Sequence, residues 1–163
     1  MNYVFERVSY DTLTARQQEN FNFHKVAAHL ADFGFNCMRL TDDWLGADFI
    51  ALHNDGQRFF RVQLKTRLVI DKKYSGRELY IAFIDRRDNE IYFYPHDQVR
   101  DELLAHGEKL GTLSNTVSWC ERGGYSWGRL SEQLKKLMSP YSMGCVDKDV
   151  LSPQAHPITP KIS

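Results

Sequence analysis

The sequence holds only three cysteines, Cys37, Cys120 and Cys145, an odd number with no C-x-x-C spacing. This argues against a disulfide framework or a thiolate zinc cage and for free thiols in a reducing compartment, so a cytoplasmic location is expected. Proline is scarce, and four of the five (Pro140, Pro153, Pro157 and Pro160) come after residue 138. Net charge is absent, with 21 Lys and Arg against 21 Asp and Glu, which argues against a histone-like, purely electrostatic binder. No apolar run approaches the roughly 20 residues of a membrane span, and the start, Met1 to Arg7, lacks the pattern of a secretory signal. There is no Gly-rich phosphate loop and no Ser-His-Asp or Cys-His pattern. His24 and His29 stand five apart and share no ligand face, and His96 opens a helix, so none is read as a metal ligand.

What the sequence does hold is the composition of one folded unit: 163 residues, 42% hydrophobic and 13% aromatic. Charge is unevenly spread. Residues 1–56 carry four basic against eight acidic side chains, and residues 57–100 carry ten against six, which puts a basic face in the middle third. Thr12 or Thr14 caps a helix that stops at Gly34, with Phe23, Val26, Ala27, Leu30 and Phe33 on the stripe that packs on a sheet. Phe21 and Ala28 lie opposite, as a second contact surface. A short strand over 36–40, a polar turn at Thr41-Asp42-Asp43, and strands over 46–53 and 57–67 follow, the last two joined by the hairpin signal Asn54-Asp55-Gly56. Residues 71–77 read as a basic loop, 78–85 and 90–94 as a further hairpin. A helix follows from Pro95 to Gly107, and Leu130, Leu134, Leu137 and Met138 mark a last one. The expected fold is α/β, bordering on α+β: one domain over 1–138, then a Pro-containing tail over 139–163 without a core of its own.

Four polar residues stand where a plain core would not place them. Asp48 opens one strand, while Gln63 and Lys65, two apart on the next, project from the same face. The hairpin brings Asp48 toward both. Glu19 lies one turn before Phe23, on the stripe expected to face the sheet, where a carboxylate is costly unless paired or metal-bound. Two carboxylates, an amide oxygen and an ammonium are the equipment of metal-assisted phosphodiester hydrolysis. Asp48, the Gln63 oxygen and the Leu64 carbonyl suit a hard cation, Mg²⁺ or Mn²⁺. Lys65 can orient a water or neutralise charge on the phosphorane, and Glu19 can hold a water of the metal shell or help place a second ion.

Gly46-Ala47-Asp48, fourteen residues, then Gln63-Leu64-Lys65 resembles the PD-(D/E)XK, or restriction-endonuclease-like, nuclease core. The leading helix with Glu19 matches too, and the Phe-Gly-Phe at its end with Ala-Asp-Phe-Ile-Ala is similar to resolvase-like members. The resemblance covers residues 12–67. It implies a leading helix, then a mixed sheet with helices packed on it, with Asp48 as first metal ligand, Gln63 at the acidic position, Lys65 as the motif lysine and Glu19 as the helix glutamate. Ala47 stands where the family name has Pro and Gln63 where it has an acid; Q-x-K variants occur among active members, including an intron homing endonuclease. The hairpin over 78–94 comes where a helix is usual.

Arg61, Arg67, Lys72, Lys73 and Arg77, with Arg86 and Arg87, flank this site and suit a phosphate backbone. The expected partners are nucleic acid, DNA above RNA, and further copies of the chain, because cutting both strands of a duplex needs two sites. Two alternatives stay open: a catalytically inactive nucleic-acid-binding protein on the same fold, suggested by Gln63, and a protein-interaction module, suggested by Phe21 and the tail.

Overall fold

A computed structural model describes residues 6–106, 119 and 123–145. Helix α1 spans Ala15–Asp32. Its start is fixed by a capping box: Gln17 N–H donates to the Thr14 hydroxyl at 3.4 Å and Thr14 N–H to the Gln17 side-chain oxygen at 2.9 Å. Its end is set by Gly34, whose φ of +81° is the left-handed conformation a helix terminus favours.

Strands β1 (Phe35–Trp44), β2 (Ala47–His53) and β3 (Phe59–Lys65) form an antiparallel meander. Next come β4 (Leu68–Asp71), a single 3-10 turn at Lys72–Tyr74, β5 (Leu79–Asp85), β6 (Glu90–Pro95) and helix α2 (His96–His106). Strand β7 (Gly124–Trp127), helix α3 (Glu132–Met138) and β8 (Ser142–Cys145) complete the described chain. Six strands make one mixed sheet in the order β1-β2-β3-β5-β6-β8, with β3 and β5 parallel, and β4 pairs with β7 in a separate ribbon.

The alternation along β3 and β5 divides the core in two. On one face α1 lays Val26 and Leu30 against Phe49, Val62, Ala82 and Ile84. On the other, Leu79, Ile81, Phe83 and Tyr94 meet Val99 and Leu103 of α2, Leu134 and Met138 of α3, and Leu68 and Ile70 of β4. A leading helix, then a mixed sheet with helices packed on both faces, is the α/β architecture the resemblance implied.

Several expectations need correction. Strand β1 runs on through Thr41-Asp42-Asp43, and the reversal falls at Leu45-Gly46, where φ values of +57° and +90° make a tight two-residue turn. The basic loop is in part strand β4 and a 3-10 turn. Residues 139–145 are not tail: they end in β8, which pairs with β6 at the sheet's edge. Phe33 is 50% exposed, because α1 has already passed the sheet there. Phe21 is only partly exposed, since Tyr10 packs edge-on against it at 5.5 Å. The helix end at Gly107, Cys120 and residues 146–163 lie outside the described residues.

His96 is fully buried. Asp71 N–H donates to its Nε2 at 3.0 Å, and its Nδ1 lies 2.9 Å from Asp97 Oδ1, so the neutral ring with the proton on Nδ1 satisfies both. Burial holds its pKa below the usual histidine value. The unfolded chain then takes the proton first. The stabilisation is complete above about pH 6.5 and is lost as pH falls from there through the depressed folded value. Between pH 7 and 5 unfolding should become easier by about 1–2 kcal/mol, the most one proton supplies over that range. Denaturant melts of wild type and His96→Gln check this: the variant should lose that slope, and an unchanged slope refutes the assignment.

Candidate functional site

The β2–β3 hairpin places Asp48 one position beyond the Phe49–Val62 pair, level with Gln63. Asp48 is half-buried. Its Oδ2 accepts the Leu64 N–H at 2.7 Å and a short hydrogen bond from the Gln63 amide nitrogen. That same nitrogen reaches the Leu64 carbonyl at 3.4 Å. Two oxygens expected to hold a cation therefore converge on one amide nitrogen. Burial pushes the Asp48 carboxyl above its ordinary pKa; the Leu64 N–H and the Lys65 charge oppose that, and the nearby Glu19 charge adds to it.

Lys65 follows on the same strand, its Nζ 5.2 Å from the centroid of the Tyr74 ring. Tyr74 is buried, and its ring lies edge-on to His96 at 5.6 Å. The turn before Asp48 also depends on this ring: a Cβ on Gly46 would sit 3.3 Å from Tyr74 Cδ1, at a φ no L-residue adopts readily.

Glu19 departs from the expectation. It is not turned into the core but is 45% exposed, with a short ion pair to Arg39 of β1 and a longer one, 3.8 Å, to Arg16. At the first turns of α1 the stripe position faces a cavity and not the packed sheet. That cavity, about 450 Å³, is shared by Glu19, Arg39, Asp42, Asp43 and Asp48. Asp48, Gln63, Leu64 and Lys65 thus come together on adjacent strands, and Glu19 faces Asp48 across the cavity. Among the described residues no group of three His, Cys, Asp or Glu is placed to hold a metal ion. A cation here would depend on Asp48, the Leu64 carbonyl and the Gln63 oxygen, with Glu19 further out. These oxygens fit a hard cation once the Gln63 amide turns its oxygen inward, because the acceptors already converge on one point.

The basic residues divide. Arg61 pairs with Glu78 at 3.0 Å and lies over Trp44, at the far end of β3 from Lys65. Lys73 pairs with Asp71 at 3.6 Å and covers the Tyr74 ring at 4.9 Å, the same ring that Lys65 meets. Lys72 covers the Trp119 ring at 5.7 Å. Arg77 is exposed beside the Gly46 turn. Arg67 lines a cleft with Thr66, Arg86 and Arg87. The Cys37 thiol is pushed up to about 11 by burial, which keeps it protonated and unreactive. Arg39 escaped the sequence reading, although the alternation of β1 could have flagged it. Tyr74, in the basic loop, is expected to stack on a base or to anchor the loop; it is buried against Lys65, a contact that depends on the ribbon.

No protein-family model matches the chain, and no curated protein matches it in sequence. Among solved structures it is similar to a bacterial homing endonuclease, I-Ssp6803I, at 12% identity over 80% of this chain and 87% of that one, with a TM-score of 0.46. It is also similar to Hjc, a Holliday junction resolvase from the archaeal hyperthermophile Archaeoglobus fulgidus, at 14% identity over 70% of this chain and 91% of that one, with a TM-score of 0.40.

Proposed function

We propose that the chain is a divalent-metal-dependent nuclease that hydrolyses phosphodiester bonds in DNA and works as a homodimer or higher homo-oligomer, one centre for each strand. The observation that carries this reading is the convergence of Asp48 Oδ2 and the Leu64 carbonyl on a single point, beside Lys65 and across a cavity from Glu19. Mg²⁺ or Mn²⁺ held there supplies Lewis-acid polarisation of the phosphate and lowers the pKa of a water at the site. Lys65, its ammonium steadied by the Tyr74 face, offsets negative charge on the phosphoryl oxygens. Glu19, held by Arg39, positions a water in the cavity.

The test is a panel of supercoiled plasmid, duplex, four-way junction, single strands and RNA, incubated with Mg²⁺ or Mn²⁺ and in parallel with EDTA. DNA products in the divalent lanes alone are expected; no product with either ion refutes the nuclease reading, and products from RNA alone refute the DNA assignment. A second reading, a catalytically inactive nucleic-acid-binding protein, is favoured by one observation: the Gln63 amide already satisfies Asp48 without a cation. It requires DNA binding in EDTA and no product under any condition.

A further inference from the structure

A cleft of about 350 Å³ opens on the α1 side of the sheet, between residues 7–8, α1 and the β5–β6 turn. Arg7, Lys25 and Arg86 line it around an apolar floor that includes Phe21 and Ile84, and none of its described lining residues is a carboxylate. Three cations around one concavity form a site for an anion. Arg86 is also held in place. Its guanidinium lies over the Tyr10 ring at 3.0 Å and makes a short hydrogen bond to the Asn22 oxygen, while the Asn22 amide donates to the Tyr10 hydroxyl at 3.0 Å. A planar donor fixed in this way loses little freedom when it binds phosphate.

A series of neighbouring clefts, joined by shared lining residues, leads from here to the proposed cleavage centre. Ile84 and Arg86 are shared with the next cleft, which holds Arg67 and Arg87. Thr66 links that one to a third, which holds Lys65, and Glu19 links the third to the Asp48 cavity. The clefts differ in charge from end to end. At the Asp48 end Glu19, Asp42, Asp43 and Asp48 outnumber Arg16 and Arg39, and at the far end the charged side chains among the described lining residues are Arg7, Lys25 and Arg86. One end attracts a metal ion and the other a polyanion.

We propose that the Arg7–Lys25–Arg86 cleft binds the sugar-phosphate backbone of the DNA strand whose scissile phosphate lies at Asp48 and Lys65. The course of the strand rests on the proposed nuclease reading, but the binding does not. The test is fluorescence anisotropy of a fluorescein-labelled DNA duplex and its single strand in EDTA, where nothing is cut. Arg7→Glu/Lys25→Glu should raise Kd at least about tenfold and flatten the dependence of log Kd on log salt by about 1–2, as expected when two phosphate contacts are lost. Lys136→Glu, a charge reversal on α3 away from these clefts, should bind as wild type. Should the double reversal fail to fold in thermal melts, Arg7→Gln/Lys25→Gln replaces it with the same expected direction. Unchanged affinity and slope in the double variant, an equal loss in Lys136→Glu, or no DNA binding by the wild type overturns the proposal. If reversal weakens binding while the wild type yields no product with any ion, the cleft stands and the nuclease reading falls. If the wild type cuts and reversal leaves binding unaltered, the cleft alone falls.

Discussion

Lys65→Ala should lower DNA cleavage by about 10²–10³-fold with the fold intact, the loss typical of deleting one preorganised group that meets charge developing in a transition state. The side chain is half-exposed and touches the Tyr74 face, so its removal opens no core cavity, and melts should shift little. A second effect separates this role from simple phosphate binding. Lys65 helps keep Asp48 ionised against its burial. Without the ammonium the Asp48 carboxyl rises further, so its ionised fraction at a given acidic pH falls. The acidic limb of the residual rate should therefore move to higher pH. Lys65→Arg keeps the charge and should leave that limb in place while losing rate to the changed geometry. Equal rates for wild type and Lys65→Ala, in preparations that melt alike, would sink the assignment.

The β2–β3 hairpin was legible because its information is local. Asn54-Asp55-Gly56 names the turn, and the alternation of Phe60, Val62 and Leu64 against Arg61, Gln63 and Lys65 sets the register that puts Gln63 level with Asp48. Helix α1 was legible from Thr14 and Gly34 for the same reason. The errors fall where partners are distant. Strand β4 is four residues long and is defined by β7, whose Tyr125 and Trp127 lie 55 and 59 residues beyond their partners Ile70 and Leu68. Strand β8 exists because the outer edge of β6 is open to it, which nothing in Ser-Met-Gly-Cys announces. Asp42 and Asp43 read as a turn, yet an edge strand open to solvent tolerates them. Glu19 was misread because helical periodicity says which residues share a stripe, not where along the helix the sheet ends. Its partner Arg39 enters only through the β1 register.

Gln63→Glu should reverse the site's behaviour with and without metal. In the wild type the Gln63 amide nitrogen donates to Asp48 Oδ2 and the Leu64 carbonyl, standing where a cation would and keeping the acceptors satisfied. Glutamate cannot donate when ionised. It sets a second negative charge against a carboxyl that burial already drives toward its neutral form. Metal-free Gln63→Glu should therefore be less stable than wild type at pH 7 by about 1–3 kcal/mol, the cost of a lost buried hydrogen bond and a like-charge contact. For a chain of this size that is roughly 2–4 °C in Tm for each kcal/mol. The sign with pH follows: one of the two coupled carboxyls titrates high, so the deficit should shrink as pH falls and that proton is retained. Mg²⁺ should do more. It replaces an amide oxygen, which must first rotate inward, with a charged ligand already in place, so affinity should rise about tenfold or more. Thermal melts over a Mg²⁺ titration read both effects without any substrate. The expected pattern is a variant below wild type in EDTA and with the larger upward shift in Mg²⁺. Equal shifts in the two proteins would mean that residue 63 is no ligand; no shift in either protein would mean that no cation reaches Asp48, and Gln63 would then be the permanent occupant of the site, as the inactive binding protein requires.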